Sequence, residues 1–104
     1  MSKDGSLIAE FDAGVRLVPA EAQRLRRAVL RLSADHALVL LRVDQVAVFD
    51  TAGIGLLLGL HRLARLNGSG LVLLRPPPRL LAALRRRGLH RVLVVDTSAS
   101  EHRD

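Results

Sequence analysis

Hydrophobic and polar positions alternate along the chain with two different periods, and the changes of period mark out its elements. Leu7 to Phe11 and Val15 to Val18 read as short strands on either side of Asp12, Ala13 and Gly14. Glycine can take a positive φ in such a turn, so the spacing predicts a hairpin. Pro19 suits a first helical turn. Behind it Ala22, Leu25, Val29 and Leu32 recur at helical spacing while Arg24, Arg27 and Arg31 point away, which predicts an amphipathic first helix. Residues 37–43 form a near-continuous apolar run with β-branched members, the mark of a covered central strand. Residues 46–49 continue it after a kink at Asp44 and Gln45.

Asp50 and Thr51 can each cap a second helix, and Asn67 and Gly68 suit its left-handed end. Leu71 to Leu74 follows as a strand. Pro76 and Pro77 cannot prolong it, whereas Pro78 can open a third helix over Arg79 to Arg87, stopped by Gly88 and Leu89. Val92 to Val95 is the last strand. Helices with one apolar stripe and strands with a buried face predict a single α/β domain over residues 5–96, a mixed β-sheet with the helices packed on it. Strands 37–43 and 71–74 are expected to be parallel neighbours, joined across the second helix. The polar tail 97–104 offers nothing to bury and is expected to be disordered.

Composition narrows the function classes. With 104 residues and 49% of them apolar, the chain can form one core without metal or disulfide staples. It has no cysteine, so neither a disulfide framework nor a thiolate zinc site is available. The start of the chain is polar and no apolar run approaches a membrane span, so a cytoplasmic location is expected. A net charge of +6, nearly all arginine, suits nucleic acid, anionic membrane or an acidic protein surface. The only aromatics are Phe11 and Phe49, too few for the stacking platforms of single-strand and RNA binders, which makes nucleic acid the weaker reading.

Candidate chemistry is sparse. His36, His61, His90 and His102 are scattered, with no metal-ligand spacing, and no serine or threonine sits in a nucleophile elbow. No catalytic residue, metal or cofactor is expected, and the chain is read as a non-enzyme. Gly53, Gly55 and Gly59 follow a strand and enter a helix, but a dinucleotide fingerprint would need its third glycine where Leu58 stands. The plain reading of these glycines is close packing of the helix onto the sheet. At 100° per residue, Leu56, Leu57, Leu60, Leu63 and Ala64 share one face of the second helix. Ile54 and Leu58 fall opposite with His61, Arg62 and Arg65, an apolar pair rimmed by charge that reads as an exposed partner-binding surface.

From Leu41 to Leu60, LRVDQVAVFDTAGIGLLLGL, a strand, an acid, a hydroxyl, a small residue, a glycine and a helix follow in fixed order. Asp50, Thr51, Ala52 and Gly53 resemble the signature of the STAS family, the sulfate transporter and anti-sigma factor antagonist domain. VPAEAQRLRRAV resembles that family's first helix, and GSGLVLLRPPPRLLAALRRRGLHRVL its last strand-helix-strand unit. The resemblance implies a STAS-like fold and an anti-sigma factor antagonist. Such a protein binds an anti-sigma factor of the histidine-kinase-like ATPase type and is released when that partner phosphorylates it, here at Thr51. A hydroxyl at a helix N-terminus is also a physically suitable place for a phosphate. Val18 and Arg42 stand where many phosphorylatable members carry acids. Threonine in place of serine also occurs in constitutive STAS subunits, such as that of bacterial phospholipid-transport ABC complexes, where the partner would be an ABC transporter ATPase. A homodimer is left open.

Overall fold

The apolar run in the middle of the chain becomes the strand around which the other elements assemble. The computed structural model describes residues 7–98, with β1 (Ile8–Asp12), β2 (Arg16–Leu17), α1 (Ala22–Asp35), β3 (Leu38–Arg42), β4 (Val48–Phe49), α2 (Thr51–Leu66), β5 (Gly70–Leu74), α3 (Pro78–Arg86) and β6 (Val94–Asp96) in chain order. Four strands form one sheet in the order β1, β3, β5, β6. Phe11, Leu41, Leu73 and Val95 lie in one row across it, and each pairing is parallel. Parallel neighbours require a crossover, and α1, α2 and α3 supply the three. The expected pairing of the strands on either side of α2 is therefore present.

The hairpin expected near the start does not form. Its turn exists: Gly14 has φ 92° and its N–H donates to Asp12 Oδ1 at 2.9 Å. The Ala13 N–H, however, donates to Arg42 O at 2.9 Å, so the chain passes the end of β3 instead of reversing along β1. β2 then pairs in parallel with β4, Arg16 beside Val48 and Leu17 beside Phe49, as a separate two-stranded sheet. Without the hairpin, the described strands contain no antiparallel pairing, and the sheet expected to be mixed is parallel.

Side-chain alternation shows how the main sheet is covered. Val39, Leu41, Leu71 and Leu73 are buried, and they meet Leu25 and Val29 of α1, Leu57 and Leu60 of α2, and Leu80 and Leu84 of α3 in one core. The alternate positions Leu38, Leu40 and Val72 are half-buried, and Ile8 and Val94 are exposed. A polar seam ties the far ends of α1 and α2. Asn67 Nδ2 donates to Ser33 Oγ at 2.8 Å, and the Ser69 hydroxyl reaches the carbonyls of Ser33 and His36. Both serines are buried, so these bonds satisfy groups that water cannot reach.

Helix ends follow the local chemistry. Pro19–Glu21 forms a 3-10 turn ahead of α1, Pro78 opens α3, and Gly88 takes φ 71° behind it. A second 3-10 turn, Leu89–Arg91, delays the last strand, so Val92 and Leu93 precede β6. Of the tail expected to be disordered, Thr97 and Ser98 are exposed, and 99–104 lie outside the described residues, as do residues 5 and 6 of the expected domain.

Candidate functional site

β4 ends at Phe49 and α2 begins at Thr51, which places the motif on the shoulder between strand and helix. Asp50 remains extended, with φ −130°, and its Oδ1 accepts the Gly53 N–H at 2.7 Å. Asp50 is thus the cap, and it satisfies one of the amides that a helix start leaves without a partner. Thr51, the other candidate cap, becomes the first helical residue with its side chain exposed. Its Oγ1 accepts a hydrogen bond from Arg87 Nη2 at 3.1 Å.

Gly53 has a steric role. A Cβ placed there would lie 1.8 Å from the Leu17 carbonyl oxygen and 3.2 Å from the Val18 backbone nitrogen. The end of β2 therefore passes against the first turn of α2 at a distance only glycine permits. Close packing accounts for this glycine alone, because added Cβ atoms at Gly55 and Gly59 would meet nothing within 4 Å.

Beside the motif is an open cleft of about 470 Å³, lined by Phe49, Asp50, Thr51, Ile54, Ala83, Arg86 and Arg87. The guanidinium of Arg79 lies over the Phe49 ring, 4.9 Å from its centroid, and that of Arg24 lies 5.8 Å from the centroid of Phe11. Each aromatic ring thus already faces an arginine. Sequence reasoning missed Arg86 and Arg87 as site residues. Their only sequence signal is the arginine run at the end of the third helix, which does not reveal that this end returns to Thr51.

The apolar pair expected on the outer face of α2 is not there. Ile54 is only 4% exposed and belongs to the core, and Leu58 is half-buried and packs against it. The helical wheel allowed for the sheet alone as cover. The buried arc of α2 instead runs from Leu56 through Leu60, Ala64 and Leu57 to Ile54, nearly half the circumference at 100° per residue. On that edge Ile54 belongs to the same core cluster as Ala83, against which Phe49 also packs. Arg62 and Arg65 are exposed as expected, but they lie about three and about four turns from Thr51. The exposed strip beginning at Thr51 contains Ala52, Gly55, Gly59 and Arg62 and ends at Leu66, which is 83% exposed.

Electrostatics at the site are mainly basic. His61 is held below the ordinary histidine value, first by burial and then by the neighbouring charges of Arg65 and Arg62. Arg42, which stands where an acid was expected in phosphorylatable relatives, is paired with Glu10 Oε2 at 3.0 Å and Asp12 Oδ2 at 2.9 Å. Among the described residues no group of three or more histidines and carboxylates could hold a metal ion, and no helix is long and apolar enough to cross a membrane.

The STAS domain family model matches residues 11–103. No curated protein matches the sequence. Among solved structures, a sulfate transporter family protein from Wolinella succinogenes superposes with a TM-score of 0.76 at 22% identity, over 86% of this chain and 76% of that one. The STAS domain of a SulP transporter from Vibrio cholerae gives 0.71 at 17% identity, over 91% and 82% of the two chains. The anti-sigma factor antagonist SpoIIAA in its unphosphorylated form gives 0.55 at 16% identity, over 88% and 93%. At these identities the likeness concerns the fold.

Proposed function

Because this chain belongs to the STAS domain family, we propose that it is a non-enzymatic, cytoplasmic protein-binding switch of the anti-sigma factor antagonist type, controlled by phosphorylation of Thr51. One observation carries the reading: Asp50 caps α2, which leaves the Thr51 hydroxyl exposed at the helix start and without a capping duty. The partner is an anti-sigma factor of the histidine-kinase-like ATPase type. It brings the nucleoside triphosphate, and this chain supplies only the acceptor oxygen. Thr51 Oγ forms the new bond to the γ-phosphorus, the bond to the β,γ-bridging oxygen breaks, the hydroxyl proton passes to a base of the partner, and the nucleoside diphosphate leaves.

The binding surface is the exposed strip of α2. Ala52, Gly55 and Gly59 allow a partner's backbone to approach closely, and Arg62 and Arg65 add charge at its far end. A phosphate on Thr51 would place nearly two negative charges beside Asp50 at the start of that strip. Docking must desolvate them, and a loss of about 2 kcal/mol weakens a complex by about 30-fold. Incubation with the purified ATPase partner and γ-labelled ATP tests this. Label should enter the chain and be absent from Thr51→Ala.

A second reading, a constitutive STAS adaptor, is favoured by the higher structural similarity to the two transporter proteins and by the non-acidic Val18 and Arg42. In that case the partner is a transporter component such as an ABC ATPase. No label transfer, together with salt-stable co-purification with such a component, would establish it in place of the switch.

A further inference from the structure

Thr51 and Arg87 are separated by 36 residues, yet their side chains meet at 3.1 Å. The bond joins the first residue of α2 to the residue that caps the end of α3. Arg86 lines the same cleft. Both partners in the bond are exposed, so water competes for each, and the bond adds little to fold stability. Neither guanidinium belongs to any of the ion pairs among the described residues. The carboxylate among the cleft's lining residues, Asp50, lends Oδ1 to the Gly53 amide. The cleft lining therefore carries two guanidiniums against one carboxylate, an excess of positive charge beside the Thr51 hydroxyl.

We propose that Arg87, with Arg86 beside it, is the arm that receives a phosphate on Thr51, so that modification fastens the end of α3 to the start of α2. This rests on Thr51 being the acceptor residue. A phosphoryl group replaces the hydroxyl hydrogen and sets three acceptor oxygens two bonds beyond Oγ. A guanidinium already within hydrogen-bond distance of Oγ reaches them by side-chain rotation alone, and its planar fork can bind two at once. The base of the arm is fixed: the Arg87 N–H donates to Ala83 O at 3.3 Å, and Gly88 beyond it turns with φ 71°. Arg87 thus acts as a positioning residue for the modified state. In the unmodified chain its side chain donates to the neutral Thr51 oxygen.

The test uses the full chain with phosphothreonine encoded at position 51, alone or with Arg87→Ala or Arg87→Lys, titrated by 31P NMR at one fixed salt concentration. The second ionisation of phosphothreonine should fall lower in the parent chain than in Arg87→Ala by about one unit. Arg87→Lys should recover part of that difference, because it keeps the charge but loses the fork. Phosphorylation should also raise Tm in the parent and leave it unchanged or lower it in Arg87→Ala. Coincident titration curves for all three chains would overturn the arm. If Arg87→Ala does not fold, as judged by its amide spectrum, the comparison rests on Arg87→Lys: a curve displaced upward supports the fork and a curve coincident with the parent overturns it. The titration needs no partner, so it separates the two proposals. Displaced curves with unaltered partner binding would remove the switch and leave the arm. Coincident curves with phosphate-sensitive binding would remove the arm and leave the switch.

Discussion

Replacing each of the three glycines of α2 with alanine should give effects of opposite sign. At Gly53 the new methyl would lie 1.8 Å from the Leu17 carbonyl oxygen and 2.6 Å from its carbon. Those atoms are backbone, held by the pairing of β2 with β4, so no side chain can swing aside. Either β2 must move away from α2 or the helix start must unwind. Overpacking in a tight site costs about 1–3 kcal/mol, and a rigid backbone obstacle puts this one near about 3 kcal/mol. Alanine returns at most about 1 kcal/mol through helix propensity. The net loss is about 2 kcal/mol, which for a domain of this size lowers Tm by about 8–16 °C. Gly55→Ala and Gly59→Ala meet open space and should each stabilise by up to about 1 kcal/mol. Urea and thermal denaturation of the three variants measure the contrast directly. A Gly53→Ala chain as stable as Gly55→Ala would refute the claim that the motif's glycine is required by the approach of β2.

Two more predictions concern the same helix. Asp50→Ala should cost about 1 kcal/mol in urea unfolding, because the Gly53 amide loses its side-chain acceptor, while Asp50→Asn should lose much less. His61 has its folded value lowered, so the unfolded chain takes up the proton first as pH falls. Stability should therefore decline as pH falls through the ordinary histidine range and level off below the folded value, and His61→Gln should show a smaller decline. Identical pH dependence of the urea midpoint in both chains would show that His61 titrates alike in the two states.

Much of the fold was legible because strong local signals bound its elements. Asp50 starts α2, Gly68 turns behind it with φ 78°, Pro78 opens α3, and Gly88 follows it. The parallel pairing of β3 and β5 follows from a covered strand on each side of a helix. The partner of residues 15–18 was not legible, since a turn with suitable φ reports only its own geometry. Whether the chain then pairs backward with β1 or sideways with β4 depends on contacts far along the sequence. The same limit applies to the site. Asp50, Thr51 and Gly53 are contiguous and were visible as a motif, whereas Arg87 joins them only when α3 packs back across the sheet. The misplacement of Ile54 has a related cause: a helical wheel orders side chains around an axis but does not say how many neighbours surround it.

The claim that Thr51 governs partner binding is tested most directly by calorimetric titration of the ATPase partner with the unmodified chain and with the chain carrying phosphothreonine at position 51. The phosphorylated chain should bind at least about 30-fold more weakly, corresponding to about 2 kcal/mol of lost binding free energy. Equal affinities for the two forms would contradict it.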